Sequence, residues 1–171
     1  MSITQKILAG SAALILAAGI SGQTAERLKR ADNTFLTAAA EGGMAEVELG
    51  HLAVQKASNP AVKQFGQRMI DDHTKINDEL KALAARKGLT LPSTVSAKDK
   101  ATMKRLSILN GREFDRTYME DMVKDHEADI DEFQLESNDG ADPDLKSFAE
   151  KTLPILHEHL QIAQQTQAEL K

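Results

Sequence analysis

Residues 60–87 read PAVKQFGQRMIDDHTKINDELKALAARK. Asn59, just before them, is a helix-capping residue type, and Pro60 suits a first helical position because its missing N–H would have no partner there. Val62, Phe65, Met69, Ile76, Leu80 and Leu83 then recur at helical spacing and form one apolar stripe, until Gly88 stops the helix. His73 falls on the edge of that stripe. A long amphipathic helix must bury its stripe against other helices, so this segment predicts a bundle rather than a sheet protein.

The neighbouring segments repeat the pattern. Upstream, a helix is predicted from about Asn33 to Ala57, with Phe35, Ala38, Gly42, Ala45, Leu49, Leu52 and Ala53 on one face. Its small residues Ala38, Gly42 and Ala45 would let a neighbouring helix approach closely. Ser58-Asn59-Pro60 is a tight break. Downstream, residues 88–96 make a connection, and Ser96 caps a short helix reaching about Leu109. Gly111 separates it from a third long helix, about Arg112 to Glu136, whose stripe is Phe114, Tyr118, Met119, Met122, Ile130 and Phe133, with His126 inside it. Residues 137–143 (SNDGADP) are a turn cluster. The fourth long helix runs from about Asp144 to the C-terminus, with Leu145, Phe148, Ala149, Thr152, Leu156, Leu160 and Ala163 on its stripe. His159 lies on that stripe and His157 points away. Pro154 should kink the helix, which leaves the choice between the two histidines open.

Two short turns and one long connection with a helix of its own give an all-α, ferritin-like up-down four-helix bundle with a long crossover between the second and third long helices. Composition agrees. The 171 residues suit one domain, placed over residues 31–171, with 4% aromatic residues and no Trp. The net charge of −5, with signs mixed along helical faces, shows no basic stripe and argues against a nucleic-acid partner. There is no Cys, which excludes disulfides, thiolate metal sites and a lipid-modified N-terminal cysteine.

Residues 1–25 read as a signal peptide. Lys6 precedes an apolar run from Ile7 to Ile20, short of the roughly 20 residues of a membrane span, and small and polar residues follow from Ser21 to Ala25. An uncleaved N-terminal anchor is the alternative. The expected mature chain is a periplasmic protein without a transmembrane span, at most peripheral to the envelope. A protein partner is not identified, and a homo-oligomer stays open.

Several segments carry a family resemblance: Glu46-Val47-Glu48-Leu49, Phe65 to His73 (FGQRMIDDH), Gly111 to Tyr118 (GREFDRTY), Met122 to His126 (MVKDH) and Leu153 to Leu160 (LPILHEHL). Together they resemble a bacterial ferritin-like family, DUF family 4142, whose members often carry the label outer membrane protein. The resemblance covers about Asn33 to Gln167. It implies a secreted helical bundle and no established activity.

His73, His126 and His159 lie near the middle of three helices, and Glu46 near the middle of a fourth. Antiparallel helices of similar length cross at their midpoints, so the four groups should share one layer. Polar groups in an apolar core are costly unless paired or metal-bound. Three imidazoles and a carboxylate are a plausible ligand set for Zn, Cu or Fe, with Asp72, Asp125 and Asp129 orienting the rings from outside and Tyr118 donating to the same network. The di-iron pattern Glu-x-x-His is missing, since Ile70, Val123 and Leu156 stand three residues before the histidines. Met69 and Met122, one turn before His73 and His126, are either soft copper ligands or core filler; their ordinary stripe positions favour filler. The alternatives to a metal centre are a structural polar network, or an interaction or stress module of the envelope whose function lies on its exposed helical faces. No catalytic residues are assigned. No Ser-His-Asp set, phosphate-binding Gly loop or thiol is present, so an enzyme is the less favoured reading. Finally, Phe65-x3-Met69-x2-Asp72-His73 echoes Tyr118-x3-Met122-x2-Asp125-His126. Because the echo links the second and third helices, it reads as two helices meeting one packing problem rather than as a duplication.

Overall fold

The computed structural model describes residues 12–170, with side chains described from residue 29 onward. Five helices follow in order: α1 (Ala12–Lys56), α2 (Pro60–Lys87), α3 (Ala97–Ser107), α4 (Gly111–Asp139) and α5 (Pro143–Glu169). No strand occurs among the described residues. The capping expectations hold. Asn59 Oδ1 accepts from Ala61 N at 2.8 Å, Ser96 Oγ accepts from Asp99 N at 3.1 Å, and Gly88 closes α2 at φ 66°, a left-handed conformation that glycine adopts without strain.

One boundary differs from expectation. α1 begins well before Asn33, because no proline separates the Ala- and Leu-rich leader from the amphipathic segment. The signal peptide expected at residues 1–25 lies partly on residues 1–11, outside the described residues, and partly on the first turns of α1. α5 passes through Pro154 without interruption, with that residue exposed. Among the described residues no helix is long and apolar enough to cross a membrane.

α1 pairs with α2 and α4 with α5, and the two hairpins meet through α1 against α4 and α2 against α5. Lys56, ending α1, donates to Leu109 O at 3.3 Å and Asn110 Oδ1 at 3.2 Å, just before α4. Lys87, ending α2, pairs with Asp142 at 2.8 Å, just before α5. Residues 88–110 therefore return along the whole bundle, and α2 and α4 run parallel. The molecule is an all-α four-helix bundle with one long crossover carrying α3.

The hairpins are internally equivalent. Asp32 on α1 accepts from Ala141 N and Asp142 N at 2.8 and 2.9 Å, holding the α4–α5 turn. Asp115 on α4 accepts from Ser58 N and Asn59 N, both at 3.0 Å, holding the α1–α2 turn. Phe35 on α1 meets Phe148 on α5 edge-on at 6.5 Å, and Tyr118 on α4 meets Phe65 on α2 edge-on at 6.2 Å. These residues correspond at one constant offset: Asp32 to Asp115, Phe35 to Tyr118, Asn59 to Asp142, Pro60 to Pro143, Phe65 to Phe148. The chain thus repeats one hairpin. The echo between the second and third long helices is not this relationship, which links α1 to α4 and α2 to α5.

The apolar interior falls into two clusters. One gathers Leu49, Val62, Phe65, Met69, Phe114, Tyr118, Met119, Met122 and Ala163. The other gathers Phe35, Leu36, Ile76, Leu80, Phe133, Leu145, Phe148 and Leu156. On every long helix a buried polar residue lies between the two clusters. The close helix contact is not at Gly42, where an added Cβ would meet nothing. It is between Gly50 and Gly66, where a Cβ on Gly50 would fall 2.6 Å from the Gly66 carbonyl oxygen.

Candidate metal centre

The layer between the clusters holds Glu46 from α1, His73 from α2, His126 from α4 and His159 from α5. They are 1%, 3%, 0% and 0% exposed. One nitrogen from each ring lies within 4.8 Å of the other two. The structure thus brings together all four residues expected in the layer, and Glu46, at the edge of its stripe, is as buried as the rings. His157 is exposed, which settles the choice in favour of His159.

The hydrogen bonds define which nitrogens face inward. His73 Nδ1 donates to Glu46 Oε2 at 2.7 Å. His126 Nδ1 donates to the Met122 carbonyl at 2.9 Å. His159 Nε2 donates to Asp72 Oδ2 at 3.2 Å. The three acceptors are two carboxylates and a backbone carbonyl, so the proton belongs to the ring nitrogen in each case. The remaining nitrogens, His73 Nε2, His126 Nε2 and His159 Nδ1, then carry lone pairs. His126 Nε2 lies 3.3 Å from His159 Nδ1 and 3.3 Å from Glu46 Oε1. With that protonation these are contacts between lone pairs, which call for a positive charge between them. His73 Nε2 and Glu46 Oε1 are buried without a hydrogen-bond partner.

The electrostatics favour an ionised Glu46 and oppose protonation of His126 and His159. Burial opposes the charge on Glu46, but the facing His73 and His126 and the His73 hydrogen bond outweigh it and hold its carboxyl at about 2. Burial lowers the affinity of His126 for a proton, against the countering charge of Glu46. Burial, helped by His73, lowers His159 to about 4. Burial works against the charge of Asp72 as well, yet its hydrogen bonds to His159 and Lys75 bring it below the ordinary aspartate value.

The outer residues divide. Asp72 orients His159 as expected and is tied in turn to Arg68 Nε at 3.2 Å. Asp125 and Asp129 do not hydrogen-bond the rings. They gather at Glu46, one carboxylate oxygen from each of the three lying within 4.8 Å of the others. Burial and the Glu46 charge raise Asp125 to about 6, and the same two causes raise Asp129 well above its ordinary value. Tyr118 is fully buried, stacked on Phe114, and its hydroxyl has no hydrogen-bond partner, so it does not donate to the network. Both methionines one turn before a histidine pack in the apolar cluster, as filler should. Sequence reasoning missed Asn77. It is buried on α2, its Oδ1 is unpartnered, and its side chain fills the space a Cβ on Gly43 would occupy. A polar residue one turn after His73, facing a Gly-Gly pair, was the available signal.

The sequence model of a domain of unknown function, DUF4142, matches residues 18–166. Among solved structures, a DUF305 fragment from Deinococcus radiodurans superposes with a TM-score of 0.72 at 12% identity, covering 81% of this chain and 96% of that one. A DUF305 protein from Streptomyces coelicolor, described as secreted, gives 0.70 at 14% identity, with 82% and 93% covered. CopM in its Cu(I)-bound form gives 0.64 at 16% identity, with 78% and 93% covered. At these identities the likeness is one of fold. No curated protein matches the chain.

Proposed function

Because the chain belongs to the DUF4142 family, a domain of unknown function, its role has to come from its own site, and we propose that it binds one transition-metal ion through Glu46, His73, His126 and His159. The observation that carries the reading is the orientation of the three rings. Each turns its outer nitrogen to an oxygen acceptor and leaves an inner nitrogen facing the other two. Metal-bound histidines are oriented by outer acceptors in this way. Three imidazole nitrogens and one carboxylate oxygen suit Zn, Cu or Fe, with bonds near 2 Å that the side chains reach by closing in on a common centre. CopM, a protein of similar fold, is known with Cu(I) bound. The soft Met69 and Met122 thioethers face the core here, so the ligand set proposed is nitrogen and oxygen.

The bundle would work outside the cytoplasm, in the periplasm or against the envelope. That part rests on the leader at residues 1–25 and on the DUF305 protein of similar fold that is described as secreted. Cleavage between Ser21 and Ala25 would leave every described buried residue of α1 in place, since the first is Asp32.

The test is elemental analysis of untagged protein purified without chelator, together with melting curves on adding Zn, Cu or Fe salts. About one equivalent of metal, lost in His126→Ala along with any metal-induced rise in Tm, is expected. A purely structural polar network, the alternative, gives no metal and no response to these salts.

A further inference from the structure

We infer that this centre takes a second divalent cation, held by the carboxylates of Glu46, Asp125 and Asp129, with Glu46 shared between the two ions. The inference rests on the histidine site proposed above. The three carboxylates come from α1 and α4, and one oxygen of each lies within 4.8 Å of the other two. Proximity alone would not make a site. The second observation is Glu46 itself, which is 1% exposed with Oε1 lacking any hydrogen bond. A bare carboxylate oxygen at that depth is unfavourable unless a cation or donor meets it. Beside it, a narrow gap lined by Glu46, His73, Asp129 and Thr152 among otherwise apolar residues and the Gly42–Gly43 pair has room for about one water-sized species.

Nothing competes strongly for the other two carboxylates. Asp129 makes no hydrogen bond or ion pair among the described residues, and Asp125 has only a 3.8 Å contact with Lys98. The repeated hairpin adds a structural reason for the arrangement, since Asp129 holds in α4 the place Glu46 holds in α1. Asp125 also lines a cavity between α3 and α4 together with Asp99, Asp121, Lys98, Arg105 and Lys124, which brings one member of the trio to a path from solvent. Three carboxylates without nitrogen select a hard ion such as Mn2+ or Mg2+, in contrast to the imidazole side. A carboxylate shared by two ions about 3.5–4 Å apart is a known two-metal geometry.

Protein carrying one equivalent of Zn2+ is titrated with Mn2+, followed by loss of the free-Mn2+ electron paramagnetic resonance signal, with Zn2+ measured in the same samples. One further equivalent of Mn2+ is expected to bind. It should be lost in Asp129→Asn and in Asp125→Asn while the Zn2+ stays, with circular dichroism melts showing both variants folded. Asp121→Asn, outside the three carboxylates, should keep both ions. Absence of Mn2+ uptake, uptake that both trio variants retain, or one-for-one displacement of Zn2+ overturns the shared centre and leaves the histidine site standing. Failure to retain Zn2+ in the first place removes the histidine site, and the shared centre with it.

Discussion

His73 Nδ1 lies 2.7 Å from Glu46 Oε2, and neither side chain is more than 4% exposed. The contact joins α1 to α2 at the level where the apolar core is interrupted. It satisfies one buried carboxylate oxygen and fixes the tautomer of His73, so that Nε2 faces the other rings. Two substitutions separate these effects. Glu46→Ala leaves a buried donor without an acceptor and should cost about 1–3 kcal/mol of stability. Glu46→Gln keeps an acceptor at the same place and should cost about 1 kcal/mol. Urea denaturation of the metal-free protein measures both, and equal losses would show that the acceptor is not what matters.

Much of this arrangement is legible in the sequence, because helical periodicity fixes both the stripe and the height of each residue along it. Midpoint crossing then puts Glu46, His73, His126 and His159 in one layer without any knowledge of packing detail. The roles of Asp125 and Asp129 are not legible in the same way. They flank His126 in sequence, which suggests that they serve the rings, but the rotation of α4 against α1 turns them to Glu46 instead. The search for Glu-x-x-His fails for a related reason: here the carboxylate follows its histidine, His126-x-x-Asp129, on the same helical face. The repeated hairpin is hidden by unequal residue choices at equivalent places, such as Gly43 against His126 and Leu156 against His73. It emerges from the turn contacts of Asp32 and Asp115, which join residues far apart in the chain.

His159 should make the metal-free protein acid-sensitive. Its imidazole takes a proton near 4 in the folded state against an ordinary 6.5. Below 6.5 the unfolded chain binds a proton that the folded chain refuses, so stability is complete above that value and falls as pH drops toward 4. The loss attributable to this group is about 3 kcal/mol at most. Comparing urea midpoints of wild type and His159→Gln between pH 7 and pH 4.5 isolates it from the carboxylates nearby. A wild-type midpoint that falls no faster than the variant's would refute the assignment.

Glu136 works in the opposite direction. It is 4% exposed, and burial, reinforced by the Asp32 carboxylate, raises it to about 7 from an ordinary 4.5. Between those values the folded state keeps a proton that the unfolded chain has lost, so this group's contribution falls as pH rises from 4.5 through 7. Glu136→Gln removes the ionisation while keeping the shape. The variant should melt higher than wild type at pH 8 and match it near pH 4. A variant that melts lower at pH 8 would mean that the ionised carboxylate has a favourable partner.

The two turn-holding aspartates should be comparable, but not equal, in their contributions. Asp32 takes two backbone N–H groups of the α4–α5 turn. Asp115 takes two from the α1–α2 turn and also the hydroxyl of Ser58 at 2.5 Å. Both are at least 94% buried, so removing either strands donors that solvent reaches poorly. Hydrogen bonds to a charged acceptor contribute roughly 1.5–3 kcal/mol each before the shared loss of side-chain freedom, so Asp32→Ala should cost about 2–3 kcal/mol and Asp115→Ala somewhat more. Asp115→Asn keeps one acceptor oxygen and should recover part of the loss. Because each aspartate reaches from one hairpin to the turn of the other, the effect should also appear at a distance. Amide hydrogen exchange in Asp115→Ala should rise at Ser58 and Asn59, across the bundle from most of α4, while the α4–α5 turn at Ala141 and Asp142 stays protected. Exchange that rises equally at both turns would mean that the variant loosens the whole bundle and that the two hairpins do not hold each other's turns independently.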